Sequence, residues 1–250
     1  MITLEIKDRI AIATLSRPPV NAINEEWLDR LSAVIDEAET AENVSVLLIR
    51  SDQRTFCAGA DLKLMESRFP SAEERKKMIA FVRRIQEVYA KLEKSPLVSV
   101  AEVAGAALGG GMELALACDF RIIAHEAKVG LPEVRLGLLP GAGGTQRMTR
   151  ICGEAVSKRL ILTAEVLDGH KAESVGLAHW SVPRDEIAAY AENFANSVAQ
   201  LSGAALAYCK NCIDAAIFST QEGYERELTG TESLFANPDT QARVRKFLAG

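Results

Sequence analysis

The sequence predicts an α/β protein whose sheet is mostly parallel, followed by a helical C-terminal region. Residues 44–50 and 97–103 are continuous apolar runs of strand length, the pattern of strands buried on both faces. Each follows a segment of helical periodicity that opens on a capping residue, so strands and helices alternate along the chain. Such alternation is closed by right-handed β-α crossovers. Beyond Gly143 the texture changes, and nearly every periodic segment is helical.

Leu4, Ile6, Ile10, Ile12 and Thr14 alternate across Asp8-Arg9, which predicts an opening hairpin that Pro18-Pro19 ends. Asn24 caps a helix running to about Ala41, and residues 51–60 read as a loop after the first buried strand. Ser71, with Glu74 three positions on, forms a capping box for a long helix through Lys94 that Ser95-Pro96 closes. Residues 109–118 read as a helix opened by glycines, and 120–124 as a further strand. Helices are expected at about 144–150, 153–162, 168–176, 185–199, 203–217, 221–235 and 238–248. No Ser/Gly-rich linker separates the halves, so the helical region packs on the α/β core or on a neighbour.

Composition narrows the function classes. The 250 residues are 48% hydrophobic and 25% charged, an ordinary globular balance. Lys and Arg number 29 against 34 Asp and Glu, a net charge of −5, and no extended basic tract offers a surface for phosphates. DNA binding is disfavoured. Five cysteines at irregular spacing do not make a secreted disulfide framework, so reduced thiols and a cytoplasmic location are expected. Cys209 and Cys212 form a C-x-x-C inside an apolar helical pattern with no second pair, which reads as core packing and not as a metal or redox site. The first seven residues read as a strand, not a signal. The most apolar tract, 97–118, carries Glu102 and Glu113, unlike a lipid-facing span, so no membrane association is expected.

Three segments hold the candidate chemistry: 55–62, 104–117 and 131–145. Gly141-x-Gly143 has Gln146 where a dinucleotide fingerprint needs its third glycine, and no phosphate-binding P-loop is present. There is no G-x-S-x-G, and His125, His170 and His179 lie outside the three segments, so a Ser-His hydrolase has no support. Glu113 is the most informative residue, because it interrupts an apolar run that should be buried on every side of its helix. It is either a core carboxyl satisfied by backbone donors or one whose proton affinity is raised so that it exchanges protons near neutrality. Glu133, between Val129-Gly130-Leu131-Pro132 and Val134, repeats the anomaly. Gly109-Gly110-Gly111 at a helix start serves either tight packing or a ligand approaching free N–H groups at the positive end of the helix.

Together these residues resemble the crotonase superfamily, the enoyl-CoA hydratases and isomerases that act on coenzyme A thioesters. Phe56-Cys57-Ala58-Gly59-Ala60-Asp61-Leu62 is similar to the family's first oxyanion-hole segment, and residues 105–115 to its second. Leu131-Pro132-Glu133 through Arg147 is similar to the third, while Arg17-Pro18, Asn21-Ala22, Ala172-Glu173 and Gly176-Leu177 extend the likeness over nearly the whole chain. The resemblance implies a spiral of ββα repeats over residues 1–195 and a helical oligomerisation region over 196–250, used for trimers and for hexamers built from two trimers. It implies that the amides of Ala60 and Gly110 polarise the thioester carbonyl, and that Glu113 and Glu133 are the two catalytic glutamates. It also implies that Ala58, Asp61, Leu62 and Gly109 line the substrate channel, and that no metal or other cofactor is needed. Two departures stand out: Pro19 replaces a basic residue common after Arg17-Pro18, and residues 242–247 differ from the usual C-terminal helix. Arg243, Arg245 and Lys246 are the candidates for the coenzyme A phosphates.

The implied reaction is hydration of an enoyl-CoA, because members that only shift a double bond typically keep the equivalent of Glu133 alone. A Δ3,Δ2-enoyl-CoA isomerase and a methylglutaconyl-CoA hydratase are the alternatives within the family. From another class comes RNA binding, since some members use a Lys/Arg-rich helix and this chain has Lys76, Lys77, Arg83, Arg84, Lys91 and Lys94 in one. Glu73, Glu74, Glu87 and Glu93 dilute that charge, and a solvated face with a Glu87-Lys91 pair is the reading preferred here.

Overall fold

A computed structural model describes residues 1–218, 228–234, 237–240 and 242–243. The chain opens with the hairpin β1 (Ile2–Lys7) and β2 (Ile10–Leu15), and α1 (Glu25–Thr40) follows, capped by Asn24, whose side chain accepts from the Trp27 amide. β3 (Val46–Ser51) leads directly into a short strand, β4 (Thr55–Cys57), and then to α2 (Leu62–Ser67) and α3 (Ala72–Lys94). The unit repeats as β5 (Val98–Val103), β6 (Ala106–Leu108) and α4 (Gly110–Ala117). A third unit has β7 (Phe120–Ala124), β8 (Val129–Gly130), a 3-10 turn (Glu133–Leu136) and α5 (Gly144–Cys152). Then come α6 (Glu154–Leu162), α7 (Gly169–Ser174), β9 (Trp180–Val182), α8 (Ile187–Ala199) and α9 (Gly203–Phe218).

Each repeat sends its first strand to one sheet and its second to another. The larger sheet has the order β1-β2-β3-β5-β7-β9, parallel except for the β1-β2 hairpin. The smaller sheet, β4-β6-β8, is parallel throughout. This is the spiral of ββα repeats. Its core is filled by the buried residues of β2 and β3 and by Trp27, Leu28, Leu31 and Ile35 of α1.

The long elements fall where periodicity places them, and the short ones do not. Residues 55–57 form a strand within the stretch expected to be a loop, and 180–182 form one within the region expected to be helical. Two or three residues are too few for an alternation to register, and their pairing partners are distant in sequence. Ser71 accepts from the Glu74 amide as a cap should, but the Glu74 carboxylate turns to Arg68 and Lys77 instead of back to Ser71. The Glu87-Lys91 pair does not form: Lys91 reaches across to Asp36 on α1. Cys209 is exposed on α9, so core packing within this chain does not account for it. The helices expected at 221–235 and 238–248 lie largely outside the described residues, as does Lys246; the described stretch 228–234 is helical. No helix among the described residues is long and apolar enough to cross a membrane.

α4 crosses β4 at close range, and Gly111 makes the crossing possible. A methyl group there would stand 2.0 Å from the Cys57 carbonyl oxygen. Alanine at a helix interior gains about 1 kcal/mol in propensity, whereas overpacking against backbone costs about 1–3 kcal/mol or more. Gly111→Ala should therefore lower stability despite its better helix propensity. Urea denaturation checks this, and an unchanged or raised midpoint contradicts it.

Candidate functional site

The three segments singled out in the sequence follow the C-terminal ends of the three strands of the small sheet. β4 runs into Ala58-Gly59-Ala60, β6 into Gly109-Gly110, and β8 into Leu131-Pro132-Glu133. Parallel pairing in the order β4-β6-β8 thus gathers them at one edge, where ligands of open α/β sheets are held.

Two backbone amides lie close together there. Ala60 bridges to Ile23, but the bridge uses the Gly59 carbonyl and the Asp61 amide, leaving the Ala60 N–H outside it. Gly110 is the first residue of α4, so its N–H has no acceptor within the helix. A methyl on Gly110 would lie 3.6 Å from the Ala60 nitrogen, and one on Gly59 3.2 Å from the Gly110 nitrogen, which places the two donors side by side. Gly109 turns the chain from β6 into α4 at φ 53° and ψ −128°, a conformation that disfavours any side chain. A methyl there would also meet Glu133 Oε1 at 3.1 Å.

The two carboxyls have different supports. Glu113, one turn into α4, is 2% exposed, and its Oε1 accepts from the amides of Ala142 at 2.8 Å and Gly144 at 2.7 Å. Burial raises its pKa to about 7; the Gly144 amide opposes this, the charge of Glu133 adds to it, and the Ala142 amide and Arg147 oppose it. Glu133 opens the 3-10 turn. Its Oε2 is buried without a hydrogen-bond partner, and burial pushes its pKa upward too.

The other expected site residues are placed less directly. Ala58 is exposed beside the amide pair, and Leu62 is 60% exposed at the start of α2. The Asp61 side chain is committed to structure: it caps α2 through the Lys63 and Leu64 amides and pairs with Arg17 at 3.1 Å. Burial alone would raise that carboxyl, but these partners outweigh it and hold it below its usual range. Arg243 is engaged by Asp239 and the Gln200 carbonyl. The histidines stand elsewhere: His125 stacks on His170 with ring centroids 3.7 Å apart, and His179 packs on Phe120. Among the described residues no group of three or more His, Cys, Asp or Glu side chains could hold a metal ion.

Sequence reasoning gave no role to several residues that hold the site together. The Asn21 side chain donates to the Phe56 carbonyl at 2.9 Å and the Thr55 carbonyl at 3.2 Å, fixing β4. Tyr89 Oη donates to the Gly110 carbonyl at 2.9 Å, and Gln86 Nε2 to the Gly141 carbonyl at 2.6 Å. Tyr89 belongs to the buried face of α3, where an aromatic residue is indistinguishable from ordinary core in the sequence.

Glu113 also carries a stability consequence. Its carboxyl holds a proton to about pH 7 when folded, against 4.5 ordinarily, so the folded state binds more protons between those values. The contribution is fully present below about pH 4.5 and is lost as pH rises through about 7. Glu113→Gln removes the dependence, so its stability relative to the unmutated protein should grow by on the order of 3 kcal/mol from pH 4.5 to pH 8. Denaturant titrations across that range check this; a constant difference contradicts it.

A family model described as enoyl-CoA hydratase/isomerase matches residues 5–249. A probable enoyl-CoA hydratase of Mycobacterium bovis is 36% identical over 99% of this chain and 94% of its own length. The mitochondrial methylglutaconyl-CoA hydratase of Mus musculus is 43% identical over 63% of this chain and 49% of its own length. The solved enoyl-CoA hydratase of Geobacillus kaustophilus superimposes with a TM-score of 0.94 at 31% identity, covering 99% of this chain and 93% of that one. With the spiral fold, the family match over nearly its full length and these likenesses, the chain belongs to the enoyl-CoA hydratase/isomerase family of the crotonase superfamily.

Proposed function

We propose that the protein is an enoyl-CoA hydratase, adding water reversibly across the α,β double bond of a 2-enoyl-CoA thioester. The observation that carries this reading is the pairing of a buried carboxyl, Glu113, with a partly buried one, Glu133, both with raised proton affinity, beside two neighbouring amides. The thioester oxygen sits between the Ala60 and Gly110 N–H groups. Negative charge builds on that oxygen as water attacks the β-carbon, so fixed donors contribute most in the transition state, by about 2.7–4 kcal/mol for one donor in comparable sites.

Neighbouring carboxyls in a buried site cannot both ionise cheaply, so Glu113 and Glu133 share one proton. The ionised one takes a proton from water and the protonated one delivers a proton to the α-carbon, which balances the addition without a metal or redox cofactor. The unbonded Glu133 Oε2 suits a carboxyl that must meet water or substrate. Ala58, Gly109 and the backbone of Asp61 and Leu62 line the channel for the pantetheine and adenine, with Lys246 a candidate at the phosphates. A cytoplasmic location belongs to the same reading.

The likeness to a methylglutaconyl-CoA hydratase favours a second reading with the same chemistry and a branched acyl group. A panel of crotonyl-CoA, longer 2-enoyl-CoAs, 3-enoyl-CoAs and methylglutaconyl-CoA, read by the conjugated thioester absorbance, separates hydratase, isomerase and branched-substrate activity. The RNA-binding rival is weakened by pairing: Lys77 meets Glu74, Arg84 meets Asp29 and Lys91 meets Asp36.

Glu113→Gln and Glu133→Gln should each lower hydration at least about 10²-fold, the usual cost of lost general acid-base catalysis, with substrate binding retained. The double variant should be little worse than the poorer single one, because the pair acts as a unit. Full hydration in Glu113→Gln with loss in Glu133→Gln would leave Glu113 a structural carboxyl and overturn the shared-proton mechanism.

Oligomerisation through residues 196–250 completes the reading. α9 is mostly apolar apart from Lys210, Asn211 and Asp214, and Ile213 is 68% exposed on it, as on a helix covered by another chain. Light scattering should give three or six times the 27.1 kDa of one chain. A monomer would refute this.

A further inference from the structure

The turn that feeds two amides to Glu113 has no regular structure of its own to hold it. Residues 140–143 lie between the 3-10 turn and α5, and yet the Ala142 and Gly144 N–H groups both point at one oxygen of a carboxyl buried in another helix. What fixes them comes from behind. Arg147, one turn into α5, bends back so that its Nη1 donates to the Ala142 carbonyl at 2.9 Å. Its Nε and Nη2 both bond Glu93 Oε2 on α3, at 3.1 and 2.8 Å. The second Glu93 oxygen is taken by Arg150 at 3.1 Å. Arg147 is 6% exposed, so its charge is satisfied by these partners and not by water.

We propose that Arg147 is a positioning residue for the hydration chemistry: anchored by Glu93, its guanidinium locks the Ala142–Gly144 turn so that both amides converge on Glu113 Oε1. The proposal rests on the hydratase reading for its catalytic consequence but not for its geometry. Arg147 touches no reacting atom. It acts by orienting the carboxyl and by placing a positive charge behind the donors.

Several groups face Glu113 from the elements packed around it. The Glu133 carboxyl from the 3-10 turn disfavours its ionisation; the Ala142 and Gly144 amides and Arg147 favour it. From α3 come the buried Tyr89 phenol and, behind Arg147, the Glu93 carboxylate. Arg147 is the one cation among the groups named here that acts directly on this carboxyl. Removing it frees the turn and withdraws that charge together, and both changes favour the protonated form. A lysine would keep the charge but not the planar fork, and could not hold the Ala142 carbonyl and Glu93 at once.

The test is a carboxyl titration by carbon-13 NMR on full-length protein labelled at glutamate Cδ, with Glu113→Gln assigning the signal, alongside pH profiles of kcat and KM. In Arg147→Met the Glu113 midpoint should rise by about one pH unit, as expected when a neighbouring opposite charge is lost. The acid limb of kcat should move with it while KM changes little. Arg147→Lys, the variant safer for folding, should show a smaller rise in the same direction and a partial loss of kcat. A folded Arg147→Met that titrates Glu113 at the unmutated midpoint overturns the proposal and leaves Arg147 a staple between α3 and α5. Should that variant not fold, an unmoved midpoint and kcat in Arg147→Lys overturn it equally. If the midpoint moves but the unmutated protein hydrates no enoyl-CoA, the positioning role stands and the hydratase reading fails.

Discussion

The contact on which the rest of the site depends is the crossing of α4 over β4, where Gly111 leaves no room for even a methyl group beside the Cys57 carbonyl. Because the backbones approach so closely, the residues just beyond β4 and the first turn of α4 share one small volume. The Ala60 and Gly110 amides are brought side by side by that approach, and Glu113 is carried in one turn further along the same helix. A larger separation would leave a cleft that water could fill, and in water neither the amides nor the carboxyl would keep the properties described.

Around that crossing, α3 acts as a strut. Val82, Gln86, Tyr89 and Glu93 lie on one of its faces at helical spacing, and between them they meet three parts of the site. Val82 borders Gly141, Gln86 holds the Gly141 carbonyl, Tyr89 holds the Gly110 carbonyl, and Glu93 holds Arg147. The loop that serves Glu113 and the helix that carries it are therefore referenced to one rigid element. Isolated hydrogen bonds each contribute about 0.5–1.5 kcal/mol, but here they share one helix, so that loosening one changes the geometry of the others.

Much of this was legible in the sequence, because it rests on patterns that a single chain displays. The buried strands 44–50 and 97–103, the caps at Asn24 and Ser71, and the glycine-opened helix all follow from local chemistry. Glu113 and Glu133 stood out because a carboxyl in an apolar run is costly wherever it occurs. The small sheet was not legible: its strands hold two or three residues each, and only their partners tens of residues away make them strands. Asn21, Gln86 and Tyr89 were hidden for a related reason. Their value lies in which distant carbonyl they reach, and in the sequence they look like a polar turn residue, a solvated helix position and core.

The amide pair has a further implication for how such a site can change over generations. The Ala60 and Gly110 N–H groups are parts of the main chain, so no replacement but proline deletes either donor, although a side chain at Gly110 must displace Ile23 Cδ1, which a methyl would meet at 2.9 Å. Glu113 and Glu133, by contrast, are each one substitution away from losing their acidity. On the hydratase reading proposed above, a lineage can therefore exchange its proton-handling side chains while it inherits the main-chain donors. On that reading, new reactions on the same class of carbonyl would arise by altering carboxyls beside donors encoded in the main chain.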